Sequence, residues 1–339
     1  MSDYAKEVRR RGRNLLVVEG NHERNKLFAL IFRCFPEIGI NMEDIWIYGT
    51  NIYMLYEDIV REYGETWTED DIDLPFVISR KQSREEVCYK DDFVNIILVF
   101  DYERHDPNFS EEKIKQMQDY FADAADAGRL YINYPMIESY QHLEGLPDEH
   151  YAERKVPVSL QPGHRYKALV KKETSVSPLI EFPHKVREIL NEHFGVTDEQ
   201  ICKDCCESIL GISDEKCMEE AIRMILQNAM RNETLQTATY HFGALVTKLE
   251  YAHNGKTYWE YMRESFKQII FHNICKANRI QKGQYQINKG DYKDCFEDLD
   301  MSSILDVQNL SSRNVESGFI WVLNTCIFFV AEYNFALVD

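Results

Sequence analysis

Long apolar runs are scarce in this 339-residue chain. The longest, FIWVLNTCIFFVAEY at 319–333, is too short to cross a bilayer and carries Asn324 and Thr325, so it predicts a buried core helix, not a membrane span. Positive charge is also short: 39 Lys and Arg stand against 57 Asp and Glu, a formal net charge of −18. That excludes indiscriminate coating of nucleic acid but leaves room for a local phosphate-binding surface. Paired cysteines are lacking: the nine present are odd in number and scattered, which fits a reducing cytoplasm. The polar, charged N-terminus does not read as a signal peptide. Cys202 and Cys205 have zinc-ligand spacing, with Cys206 and Cys217 nearby. No second pair follows, so free thiols are expected. There is no GxxxxGK[ST] nucleotide-binding loop, no internal repeat, no low-complexity tract and no apparent serine or cysteine nucleophile triad.

What is present is organised around residues 95–106, NIILVFDYERHD. The apolar run Ile96 to Phe100 ends abruptly at Asp101, Tyr102 and Glu103, which predicts a strand buried on both faces, as in a parallel sheet. Ligands of open α/β sheets sit at the carboxyl ends of the strands, where Asp101 and Glu103 would stand. Their spacing of two puts both on one side of an extended chain, and two carboxylates held close call for a divalent cation. NLLVVEG, residues 14–20, repeats the design, with Glu19 ending the run and Gly20 permitting a turn. A helical pattern follows, and Glu23 falls at its start, where the helix dipole also favours an acid.

A short strand in DIWIYGTN, a helix in IYMLYEDIVREYG, an acidic insertion or loop over about 66–92, the central strand, a helix from Ser110 to about Ala125, a strand in LYINYP and a helix beginning in MIESYQHL complete the first part. This β-α-β-α-(insertion)-β-α-β-α order predicts an α/β fold with a parallel sheet flanked by helices. The expected layout is a catalytic domain over 1–148 and a mainly helical domain over 149–339, with amphipathic patterns in 179–194, 217–230, 235–252 and 258–277. The aromatic-rich stretches 257–275 and 318–336 are candidates for docking a partner or another copy, or for the domain's own core. Basic residues gather in four places: Arg9, Arg10, Arg11 and Arg13; Arg24 and Lys26; Arg165, Lys167, Lys171 and Lys172; Lys276, Arg279, Lys282 and Lys289.

Residues 14–142 resemble a TOPRIM domain, the fold shared by topoisomerases, primases and OLD-family nucleases. TOPRIM proteins carry a Glu after the first strand and an acidic DxD pair after the third; here these match Glu19 in VVEG and Asp101 and Glu103 in FDYE, with Glu103 where Asp is commoner. The VEGxxE pattern of OLD-type members matches VEGNHE and points to Glu23. NYPMIESYQHL resembles the NPxFExWLLxH segment of RloB-like proteins and the TOPRIM subunit of the PARIS anti-phage system, pointing to Glu138, with His142 expected to be structural. The resemblance implies an Mg²⁺- or Mn²⁺-dependent nuclease acting on DNA or RNA, tRNA included. Glu19, Asp101 and Glu103 would be the metal ligands, Glu23 would help a second ion, and Glu138 would be an outer ligand or general base. It further implies a toxic effector of anti-phage defence controlled by a separate ATPase subunit. The nearest basic candidates for the scissile phosphate are Arg104 and His105. Two alternatives stand beside it: a haloacid-dehalogenase-like phosphatase, whose hhhhDxD motif is similar, and a non-catalytic TOPRIM-like binding subunit of a larger assembly.

Overall fold

The computed structural model describes residues 13–211 and 255–339. Arg9 to Arg11, Cys217 and the segments 217–230 and 235–252 lie outside the described residues. Contacts group the chain into two units, Met1–Glu173 with Ile269–Asp339, and Thr174–Gln268.

The first unit is built on a mostly parallel five-stranded sheet in the order β2-β1-β3-β5-β4. Strand β1 is Arg13–Val18, β2 Ile45–Ile47, β3 Phe93–Asp101, β4 Ala122–Asp123 and β5 Gly128–Asn133. β1 pairs in parallel with β2 and β3, and β3 with β5; only the short β4 runs antiparallel, along β5. The apolar runs behave as their composition requires: Leu15 to Val18 and Leu98 to Phe100 are wholly buried, because helices cover both faces of a parallel sheet. The helices of this part are α1 (Ala29–Cys34, entered through a wider π-helical stretch, Glu23–Phe28), α2 (Ile52–Tyr63), α3 (Leu74–Lys81) and α4 (Glu111–Tyr120). Asn51, Asp73 and Ser110 cap the last three, each side chain accepting a backbone N–H of the first turn.

Four elements differ from expectation. The acidic stretch 66–92 is not a plain loop: it contains α3, which Asp73 caps and Pro75 opens, but which is too short to show a period. Helix α4 ends at Tyr120, not near Ala125, because Ala122–Asp123 leaves to pair with β5. Gly128 holds the entry to β5 at φ +128, where a Cβ would lie 2.9 Å from Leu98 Cδ1. MIESYQHL makes a 3-10 turn, Ile137–Gln141, and no α-helix. The Ile137 carbonyl accepts instead from Asn324 Nδ2 at 3.0 Å. The C-terminal run is likewise not one helix. Phe319–Trp321 forms β7, antiparallel to β6 (Lys155–Pro157), and only Phe328–Tyr333 is helical. Between them Leu323 exchanges two backbone hydrogen bonds with Tyr134, and Thr325 Oγ1 donates to the Ile132 carbonyl at 2.8 Å. Thr325 thus binds β5 near its carboxyl end and Asn324 the turn beyond it, which breaks the helix.

Helix α5, His164–Glu173, follows β6 and belongs to the same unit. In the second unit, α6 (Val176–Phe194) and α7 (Glu199–Leu210) pack on each other. Cys202, Cys205 and Cys206 lie on α7 as free thiols, the first and last buried. Helix α8, Tyr258–Lys282, joins the first unit from Ile269 onward. The two stretches considered for docking are spent largely on the interior: Tyr258, Met262, Phe266, Ile270 and Ile274 are buried, as are Ile320, Leu323 and Ile327 to Val330.

Candidate functional site

The acids named in the sequence come from the carboxyl ends of three neighbouring strands. Glu19 follows β1, Asp101 ends β3 with Glu103 two residues on, and Glu138 lies in the turn after β5. Register explains the meeting. Val18 pairs with Val99 and Asp101 with Asn133, so strand ends and their acids fall level. The Asp101 N–H lies 3.5 Å from Glu19 Oε2, and Asn133 Nδ2 lies 3.5 Å from Asp101 Oδ1. Glu23 opens the π-helical stretch and accepts the Gly20 N–H at 2.8 Å, which folds the turn after β1 back over the strand end. Such a widened turn re-aims side chains and recurs at functional positions. Glu103 is held at φ +39, in the left-handed region a glutamate seldom occupies, beside Asn51, whose Nδ2 donates to Asp106 Oδ2 at 2.8 Å.

These carboxyls are poorly solvated and repel one another. Asp101 is 4 % and Glu23 6 % exposed. Burial, then the charges of Glu103 and Glu23, push the Glu19 carboxyl up to about 8. Burial drives Asp101 well above the ordinary range, with Glu19, Glu23, Glu138 and Glu103 adding to it. Glu23 and Glu103 are raised in the same direction, again chiefly by burial. Glu19 and Asp101 both feel Glu23 and Glu103, so these four share one neighbourhood.

Against this stands one half-buried cation. Lys167, on α5, places Nζ 2.9 Å from Glu138 Oε1. Burial alone would lower its proton affinity, but the paired Glu138 carboxylate, with Asp101 and Glu23 behind it, raises it. The same Glu138 oxygen is 3.6 Å from His22 Nε2, too long for a hydrogen bond but close enough for charge to matter. Lys167 carried no signal beyond membership of a basic cluster. The residues nearer in sequence are used differently: the Arg104 guanidinium lies over the Phe109 ring at 4.2 Å, and His105 is exposed. His142 is buried, its ring nitrogens 3.1 Å from Tyr166 Oη and 3.0 Å from Glu173 Oε2, pinning the 3-10 turn to α5.

Among the described residues, no three His, Cys, Asp or Glu side chains are gathered closely enough to hold a metal ion as they stand. The donor set nevertheless fits a hard divalent cation: the groups that converge are carboxylates, and their mutual repulsion is what such an ion relieves. Glu19, Asp101 and Glu103 would hold it, with Glu23 and Glu138 at the margin. No family model matches the chain, and no curated protein or solved structure matches it either.

Proposed function

We propose that this chain is a TOPRIM-type, Mg²⁺- or Mn²⁺-dependent nuclease that hydrolyses phosphodiester bonds. One observation carries the reading: acids from three adjacent strand ends converge, burial raises the proton affinity of Glu19, Asp101 and Glu103, and Lys167 stands beside them. A bound divalent cation would supply Lewis acidity to the phosphate and lower the pKa of a water. The remaining tasks fall to the protein. Glu19 and Asp101, fixed by backbone register, would hold the ion, with Glu103, in its left-handed conformation, completing the set. Lys167 is positioned to neutralise charge that builds on the phosphoryl oxygens, a role that Glu138 supports by keeping the ammonium in place. Glu138 can also take a proton from the attacking water once a substrate phosphate competes for Lys167.

The direct test is cleavage of plasmid DNA and of total tRNA, with Mg²⁺, with Mn²⁺ and with chelator. Cleavage should require the metal, and Asp101→Ala should lower it on the order of a thousandfold while circular dichroism stays unchanged. Unchanged cleavage by Asp101→Ala would refute the assignment; a non-catalytic binding subunit would retain nucleic acid and cut none. The defence role and the separate ATPase subunit rest on the resemblance alone. Co-purification of an ATPase encoded beside this chain, with nuclease activity dependent on it, tests both.

A further inference from the structure

The sequence is strongly acidic overall, so a polyanionic substrate is repelled except where basic residues gather locally. Two basic clusters far apart in the chain, Arg24 with Lys26 and Arg165 with Lys167, Lys171 and Lys172, lie on the two elements that approach the same acid, the helical segment after Gly20 and α5. The link is Glu138, whose Oε1 lies 2.9 Å from Lys167 Nζ and 3.6 Å from His22 Nε2. Lys26 stands four residues after His22 in the same helical segment, and Lys171 four residues after Lys167 on α5. Each is therefore about one turn further along the element that reaches the acids. Tyr166 and Val170 are buried and fix α5 from its inner face. Lys26 and Lys171 are exposed, whereas Lys167 is half-buried among the carboxylates.

We propose that Lys26 and Lys171 form a rim that holds the phosphodiester backbone of a nucleic acid on either side of the phosphate presented to the acids. The proposal rests on the nuclease reading above and adds where the strand lies. Two features favour a backbone over a small anion. The lysines come from two separate elements, and both are exposed. Ammonium groups are also point charges, suited to successive phosphates more than to planar, two-pronged recognition of one group.

The test uses the full chain carrying Asp101→Ala, so that substrate is bound and not cut. Fluorescence anisotropy with labelled single-stranded DNA and RNA 20-mers of one sequence, in NaCl from about 50 to 200 mM, yields the slope of log K against log salt. Adding Lys26→Gln and Lys171→Gln should reduce the magnitude of that slope by about 1.4, near 0.7 per lost single-strand phosphate contact, and weaken binding at low salt. The charge-keeping pair Lys26→Arg and Lys171→Arg should restore the slope. Lys293→Gln should leave it unchanged; that lysine lines a cavity with Arg129, at the opposite end of β5 from Asn133. A similar drop on DNA and RNA supports recognition of the shared backbone, and a drop on one alone supports the rim and identifies the substrate. An unchanged slope in the glutamine pair, or an equal drop in Lys293→Gln, overturns the rim while metal-dependent cleavage by the wild-type chain leaves the nuclease reading standing. No binding by the parent together with no cleavage by the wild type overturns both.

Discussion

Replacing Glu19 with Gln should make the metal-free protein more stable while removing its response to divalent cations. The carboxyl ordinarily titrates at 4.5 and is pushed up to about 8 in the fold, by burial first and then by Glu103 and Glu23. The sign follows from linkage. A raised folded-state pKa on an acid means the native state takes up a proton that the unfolded chain has released. This contribution to stability is present in full below 4.5 and is lost as pH rises toward 8. At roughly 1.36 kcal/mol per pH unit, about 3 kcal/mol disappears between pH 5 and pH 7.5. Glutamine has nearly the same shape and cannot ionise. Glu19→Gln should therefore recover much of that loss at pH 7.5 and little at pH 5. The assay is urea unfolding in chelator at the two pH values, followed by tryptophan fluorescence. Mn²⁺ at about 100 times its Kd should stabilise the wild type by roughly 2.7 kcal/mol at pH 7.5 and the variant far less. Equal destabilisation of the variant at both pH values, or an undiminished Mn²⁺ response, would refute the reasoning.

Other perturbations probe separate parts of the account. Glu103→Gly should stabilise the metal-free fold by about 1 kcal/mol, because the residue sits at φ +39, yet lower cleavage; thermal unfolding and cleavage measured side by side check this. Lys167→Ala should cut kcat about a hundredfold, and Lys167→Arg should recover part of it; single-turnover rates decide. Gly128→Ala should destabilise by roughly 2 kcal/mol or more, since the new Cβ would meet Leu98 Cδ1 at 2.9 Å with φ at +128; the denaturant midpoint reports it.

The sheet was legible because its cause is local. A strand buried on both faces needs an uninterrupted apolar run, and Leu15 to Val18 and Ile96 to Phe100 are such runs, each ended by an acid. The turn at Gly20 and the cap at Ser110 were readable for the same reason, since each works within a few residues. What escaped depends on partners distant in the chain. Nothing near MIESYQHL says that Asn324 will take the Ile137 carbonyl and stop an α-helix. The apolar stretch at 319–333 suits either a helix or a strand by composition, and pairing with Lys155–Pro157 decides the first part. Lys167 is the clearest case at the site: it reaches Glu138 only because α5 passes over the turn after β5. The acids themselves could be named from strand-end position, whereas their mutual electrostatics required the register between strands.

The claim beneath all of this is that the strand-end acids exist to hold a divalent cation. Diffraction from Mn²⁺-soaked crystals of the full chain, measured for anomalous signal, tests it most directly. The expected result is a peak about 2.2 Å from carboxylate oxygens of Glu19 and Asp101, with Glu103 drawn toward it. Well-ordered Glu19, Asp101 and Glu103 side chains with no peak between them at millimolar Mn²⁺ would contradict the account.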